Sequence, residues 1–434
     1  MPVRKGKALG CSRVSVASWG EAKMPGMLLS CGRVSVVSSA IQKNAGVVPE
    51  RAGRFYLPEL DVLRFFAVLG VFVYHALPCN VTPCQSHLWP YSLLNAGAFG
   101  VDLFFTLSGY LITLLLLRER DETGDINLKT FYARRTLRIW PLYFFSIGLS
   151  FLLTRLPTSI TSAPMIGDVF SPMPLKTYFF MAIFLFNFNF HGSLLMIPMP
   201  LTGLLWSISV EEQFYLFWPW FARYFPRRRI IIIPIVMVAI GWVVRATLTF
   251  NLDRLVWNYT FVHFDSIALG ILIALLPTLN PGRALRLLLL TVGIASWVFA
   301  ASYCGIPDED GTLKISMGYP AIALGSGAFL LATIGAKSLR TKLAPVRFMV
   351  YLGKISYGIY VYDIIAISTA KLLVFRGILN AILPKAGQPG TVHALYVLLA
   401  FALNVALAAA SYRWLETPFL RLKQRFERIP SRAV

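Results

Sequence analysis

Ten apolar runs recur along this 434-residue chain, at about 60–77, 96–117, 139–156, 205–225, 230–248, 262–276, 284–303, 316–336, 348–370 and 391–414. A helix needs about 20 mostly apolar residues to cross the hydrocarbon core of a bilayer. Hydrophobic residues make up 56% of the chain and charged residues only 14%, against about 25% charged in a soluble globular domain. The pattern predicts an all-α fold, a polytopic integral membrane bundle of about ten transmembrane helices. Residues 1–54 are basic and Ser-rich and are expected to form a disordered cytoplasmic extension. Residues 55–420 form the membrane domain, and 421–434 a basic cytoplasmic tail.

Charge decides the threading. Lys and Arg collect in cytoplasmic connections. With ten crossings, the basic connections 118–138, 223–229, 281–286 and 337–347 fall on one side with both termini. The weakly basic connections 78–95, 157–175 and 249–261 and the acidic 307–314 fall on the other. An eleventh apolar stretch, "KTYFFMAIFLFNFNF" at 176–190, would place Arg227, Arg228 and Arg229 outside if it crossed. It therefore reads as re-entrant or interfacial. The net charge of +21 is scattered between apolar spans rather than massed on a compact domain, so nucleic acid is excluded as a partner. Membrane lipids are the expected surroundings. Cys79 and Cys84 share one short connection on the outer side, where their spacing is compatible with a disulfide.

Ionisable residues inside spans cost about 2.5–3.5 kcal/mol on insertion scales and mark functional sites. The first span holds Asp61, Arg64 and His75. At about 100° per residue the three project from one face, and Arg64 and His75 stand roughly 16 Å apart along the axis. They cannot touch, but they can mark two ends of one path. Asp61 and Arg64, at i and i+3, can pair. The plainer reading is an interfacial ion pair with His75 reaching the far surface.

Further polar residues follow the same rule. The second span, "GAFGVDLFFTLSGYLIT", carries Asp102, Ser108 and Gly109 among aromatics. A connection then brings Arg134, Arg135 and Arg138 to the mouth of the third span. Clustered guanidiniums bind phosphate with paired hydrogen bonds, although ordinary anchoring to anionic lipid gives the same pattern. "LWSISVEEQFYLFWP" sets Glu211 and Glu212 in an aromatic helix, one turn after Ser207. Adjacent positions point about 100° apart, so one at most faces a shared site. His263 and Asp265 in "HFDSIALG" lack a third nearby ligand, so no metal is expected. Asp363 and Glu416 close the set.

The blocks "LDVLRFFAVLGVFVYH", "GAFGVDLFFTLSGYLIT", "RRTLRIWPLY", "LWSISVEEQFYLFWP", "HFDSIALGILIA", "LGKISYGIYVYD" and "SYRWLETPF" occur in this order across about residues 57–420. Together they resemble the acyltransferase 3 family of bacterial membrane acyltransferases. The resemblance implies transfer of an acyl group, commonly acetyl, from cytoplasmic acyl-CoA to a hydroxyl on a carbohydrate or glycolipid acceptor. It also implies ten core helices and a bacterial inner-membrane location. The family's arginine–ten residues–histidine pattern falls on Arg64 and His75, and its arginine block, linked to acyl-CoA binding, on Arg134, Arg135 and Arg138. Its acid block falls on Glu211 and Glu212. Two departures stand out. Val62 replaces the usual Gly, and Asp363 stands where many members carry His.

These expectations assign roles. A hydroxyl must lose its proton as it attacks a thioester, and His75 is the natural general base. Glu211 or Glu212 would orient His75 or the acceptor. Asp61, Arg64 and the Arg134–Arg138 cluster would sit at the cytoplasmic end with acyl-CoA. The alternative class is a transporter or flippase for a lipid-linked or small polar substrate, in which the intramembrane charges serve cargo or ions.

Overall fold

The computed structural model describes residues 56–76, 94–155, 173–188, 201–248, 256–276, 280–305, 312–340, 343–376 and 389–427. The N-terminal extension and the Cys79–Cys84 pair lie outside these residues. Among the described residues every regular element is helical. The helices are α1 (Pro58–Ala76), α2 (Gly100–Thr123), α3 (Leu128–Leu153), α4 (Leu175–Ala182), α5 (Leu205–Tyr224), α6 (Ile232–Leu248) and α7 (Phe264–Leu275). They continue as α8 (Arg283–Ser302), α9 (Thr312–Thr333), α10 (Ala344–Lys354), α11 (Ser356–Arg376), α12 (Pro389–Ser411) and α13 (Thr417–Lys423). Each of the ten apolar runs carries helix over its described residues, the run at 348–370 two helices. Among the described residues six stretches are long and apolar enough to cross a membrane, and the helices at 232–247 and 260–275 are shorter apolar ones. The chain is an all-α membrane bundle.

Helix α4 has eight residues, a rise of about 12 Å, and cannot cross a bilayer. Phe184 just beyond it adopts φ +56° and stacks on Tyr143 at a centroid distance of 4.7 Å.

Two boundaries differ from the hydropathy pattern. Helix α3 starts at Leu128, eleven positions before the apolar run. Leu128, Lys129, Ala133, Arg134 and Arg135 in its first turns are good helix formers. Asn127 caps it by accepting the Thr130 N–H at 3.0 Å. Helix α2 ends at Gly124, whose φ of +79° closes the turn. Arg134, Arg135 and Arg138 therefore ride on a helix rather than in a loop. The run at 348–370 is two helices, broken at Ile355. Helix α10 buries Leu352 and Gly353 while Arg347 and Phe348 face outward.

The interior is built by close approach. A Cβ on Gly109 would meet the Ile267 carbonyl, and one on Gly270 would meet the Thr106 carbonyl. Small residues at both sites let α2 and α7 touch backbone to backbone, as membrane helices do where lipid gives no hydrophobic drive. The chain thereby seats α2 deep in the bundle beside α1. The periphery is the reverse. Leu287, Leu288 and Ile294 on α8 and Ile235 and Val243 on α6 face outward, as lipid-facing surface must.

Candidate active site

One cavity opens between α1, α2, α3, α5, α11 and α13. It encloses about 1390 Å³ of space, its open mouth included, enough for a molecule far larger than water. Arg64, Arg135, Arg138 and Lys423 line it, with Glu211 as the one carboxylate among its lining residues. Four cations against one acid, walled by Phe, Leu, Ile and Tyr side chains, make a site for an anion with an apolar arm.

Each cation is held differently. Arg64 donates from Nη1 to Asp61 Oδ1 at 2.7 Å, and Asp61 also accepts from the Tyr56 hydroxyl at 2.7 Å. Asp61 is fully buried behind the cavity wall; its geometry is that of a residue aiming Arg64. The Arg135 guanidinium lies 5.4 Å from the Tyr215 ring centroid and 5.7 Å from that of Phe131. Its Nε is buried with no partner among the described residues, a donor free for a ligand. Arg134 points elsewhere. It donates to Glu119 Oε2 at 2.9 Å and to the Phe426 carbonyl at 3.0 Å. Since Glu119 also accepts the Asn127 N–H at 3.0 Å, Arg134 ties the α2–α3 turn to the C-terminal segment. Lys423, in the basic C-terminal segment, is placed by a π-helical turn over Tyr412–Glu416. That turn leads into α13, and Lys423 Nζ stands a loose 3.7 Å from Glu427. No sequence signal separated it from an anchoring lysine.

The adjacent acids diverge. Glu211 faces the cavity and accepts from Ser108 Oγ at 2.6 Å, and the Tyr215 hydroxyl donates to Ser108 Oγ at 3.0 Å. Glu212 faces away, with Trp140 Nε1 at 3.4 Å from its Oε2.

His75 has a partner that neither glutamate supplies. Its Nδ1 lies 2.6 Å from Asp363 Oδ2. Asn404 Nδ2 donates to the other oxygen of Asp363 at 3.2 Å. Of the expectation that Glu211 or Glu212 orients His75 or the acceptor, the part concerning His75 meets a different contact. Glu211 is committed to Ser108 on the cavity wall, and Asp363 of α11 holds the imidazole. The side chains of His75 and Asp363 are 9% and 2% exposed, so their contact is shielded from water. With Nδ1–H given to the carboxylate, Nε2 keeps its lone pair, and it has no partner among the described residues. Neither His75 nor Asp363 is among the cavity's lining residues. Tyr360 lines the cavity, and Asp363 follows it by three residues, about 4.5 Å along α11. The arrangement sets a buried acid against a histidine, with Asp363 one helical turn along α11 from a residue that lines the cation-rich cavity.

The family model for the acyltransferase 3 domain, described as an acyltransferase domain, matches residues 57–413. The chain belongs to the acyltransferase 3 family. It is 26% identical over 390 residues to a Staphylococcus aureus (strain COL) protein named "Putative O-acetyltransferase", with 84% of this chain and 57% of that protein covered. It is 26% identical over 378 residues to O-acetyltransferase OatA of S. aureus (strain NCTC 8325 / PS 47), with the same coverage. The chain thus spans little more than half the length of these curated relatives. No solved structure matches it.

This acyltransferase 3 chain carries a second buried polar cluster apart from the cavity. His263 Nδ1 meets Asp102 Oδ1 at 2.9 Å and its Nε2 meets the Trp257 carbonyl at 2.6 Å. Ser266 donates to the same Asp102 oxygen at 2.7 Å. Arg245 donates to Asp265 Oδ2 at 2.8 Å and to the Val262 carbonyl at 3.0 Å. Both nitrogens of His263 are engaged, and Asp265 serves the arginine. The H-x-D pair is thus dispersed into two ion pairs rather than converging on one ligand. Among the described residues no three His, Cys, Asp or Glu side chains group as metal ligands. Glu416 lies in the π-helical turn with Ser411 Oγ at 3.5 Å and does not reach the cavity.

Proposed function

We propose that this chain is a membrane-embedded O-acyltransferase. It moves an acyl group, acetyl in keeping with the names of its relatives, from cytoplasmic acyl-CoA to a sugar hydroxyl. The acceptor is a polysaccharide or glycolipid on the opposite side of the bacterial inner membrane, with both termini of the chain cytoplasmic. The observation that carries the reading is that the cavity lined by Arg64, Arg135, Arg138 and Lys423 reaches Tyr360, one helical turn before the Asp363 that holds His75.

Each residue has a task. Arg64, aimed by Asp61, and Arg135, Arg138 and Lys423 hold the phosphates of the donor through charge-assisted bonds. The apolar walls take the pantetheine arm and lead the thioester toward Tyr360. His75 Nε2 accepts the proton of the acceptor hydroxyl as its oxygen attacks the thioester carbonyl. The carbon–sulfur bond then breaks, and the thiolate leaves and takes up a proton as coenzyme A. Asp363 keeps the imidazole in the required tautomer and stabilises its charged form. Glu211, through Ser108 and Tyr215, sets the polar lining where the carbonyl passes.

The test is direct. Purified protein in nanodiscs is incubated with radiolabelled acetyl-CoA and a panel of glycans. Label transferred to glycan without any ion gradient supports the enzyme. Glycan movement that requires a gradient and leaves acetyl-CoA intact supports a transporter and overturns this reading.

A further inference from the structure

A second groove lies beside the first cavity, and Tyr56 lines both. The other walls of the groove include Arg340, Arg347, Tyr351 and Lys354. It thus combines three cations with two aromatic rings, and no carboxylate is among its lining residues. We propose that this groove is the subsite for the 3′-phosphoadenosine end of the donor. The proposal rests on the acyl-CoA reading given above and extends it to a separate place in the fold.

The chemistry of the donor fits two compartments. Coenzyme A is an extended molecule with a thiol arm, a diphosphate, and an adenosine bearing a further phosphate on its ribose. The first cavity offers apolar walls for the arm and cations for the diphosphate. What remains is a flat base and one more dianion. Flat bases stack on aromatic rings, and phosphate prefers guanidinium donors. A ligand that leaves the first cavity past Tyr56 enters a groove furnished with both.

The groove has fixed walls. Glu59, fully buried, accepts from Arg340 Nη2 at 2.5 Å and from Arg340 Nε at 3.1 Å, which sets the position of that guanidinium. Lys354 Nζ stands 5.1 Å from the centroid of the Tyr412 ring. Arg347 is exposed and takes no carboxylate among the described residues. Helix α10, which carries Arg347, Tyr351 and Lys354, is seated on α1 at Gly353, where any Cβ would collide with the Asp61 carbonyl. The same Asp61 aims Arg64 into the first cavity. The two compartments are thereby held in register. A basic amphipathic helix can also attract an anionic lipid headgroup, and the experiment separates the two sources of phosphate.

The probes are coenzyme A and dephospho-coenzyme A, which differ only by the ribose phosphate. Their Kd values are measured by calorimetry on the full chain in phosphatidylcholine nanodiscs. The wild type is expected to prefer coenzyme A by about tenfold or more, the scale of one charge-assisted contact. Arg347→Gln is expected to bring the ratio close to one while leaving dephospho-coenzyme A affinity unchanged. Lys354→Gln provides the same reading should Arg347→Gln fail to fold. Tyr351→Ala is expected to weaken both ligands equally. A wild type that binds both ligands equally overturns the subsite and leaves the donor reading intact. So does a ratio left unchanged by both charge variants. If the arginine variant instead loses affinity only for phosphatidylglycerol vesicles, the groove is a lipid site. A wild type that binds neither ligand overturns the donor reading as well.

Discussion

Asp363 and His75 lie 288 positions apart in the chain and meet at 2.6 Å. Helix α1 brings the imidazole and α11 the carboxylate. Asn404 of α12 fixes the far side of the carboxylate. A hydrogen-bonded carboxylate in this shielded position makes one ring nitrogen a donor and leaves the other its lone pair. Replacing His75 by Ala removes the proposed base and leaves Asp363 with Asn404 as its remaining hydrogen-bond partner among the described residues. The expected outcome is a protein that inserts and purifies as the wild type does but loses acyl transfer by about 10²-fold or more. Wild-type esterification of the glycan by mass spectrometry contradicts the base assignment.

Asp363→Asn tests orientation rather than proton transfer. The amide is nearly isosteric but presents Nδ2 or a neutral oxygen to the ring, so the imidazole tautomer is no longer enforced. The turnover rate is expected to fall by about 10²–10⁴-fold with donor affinity unchanged. Steady-state kinetics with acetyl-CoA separate the two. A KM change with constant turnover assigns Asp363 to binding instead.

The arginines of α3 are expected to part company. Arg135→Gln and Arg138→Gln each remove a cation that lines the cavity. Each should weaken coenzyme A binding by about tenfold, with a shallower salt dependence. Arg134→Gln breaks the tie to Glu119 and Phe426 and takes the cation from a buried carboxylate that keeps the Asn127 N–H. Its signature is a lower melting temperature, corresponding to about 3–5 kcal/mol, with a smaller change in affinity of the folded fraction. Thermal shift and calorimetry on the same preparations distinguish the two classes.

Gly270→Leu probes the backbone crossing of α2 and α7. A side chain there must displace the Thr106 carbonyl, and overpacking of this kind costs about 1–3 kcal/mol or more. The variant is expected to lose thermal stability in detergent, whereas Gly148→Leu, where nothing lies within 4 Å of a Cβ, is expected to stay close to wild type.

The bundle was legible because lipid permits few solutions. Runs near 20 residues and the side on which Arg and Lys collect are read directly from the chain. The overhang of α3 was not, because hydropathy does not register a polar helix that continues beyond the membrane; the caps at Gly124 and Asn127 were the available signal. The site was legible only in part. Arg64, Arg135, Arg138 and Glu211 announce themselves as charges in or beside apolar spans, and they do line one cavity. Which partner aligns His75 was hidden, since it depends on how α1 and α11 pack and not on spacing along either. Asp363 was visible as an odd acid in an aromatic helix but offered no sign of whom it meets. Lys423 was hidden by its setting, because a lysine in a basic tail looks like an anchor until a π-helical turn directs it inward.

The cavity takes Arg64 from α1 and Lys423 from α13. A ribosome delivers these elements at very different times. While α1 through α11 are being laid into the bilayer, the pocket has three of its cations and an open flank. Full electrostatic strength arrives only when α13 settles along α3. Under the proposed function, a chain halted before that point would hold its donor poorly and consume little acyl-CoA. The donor site is thereby complete only once α13 has packed against α3.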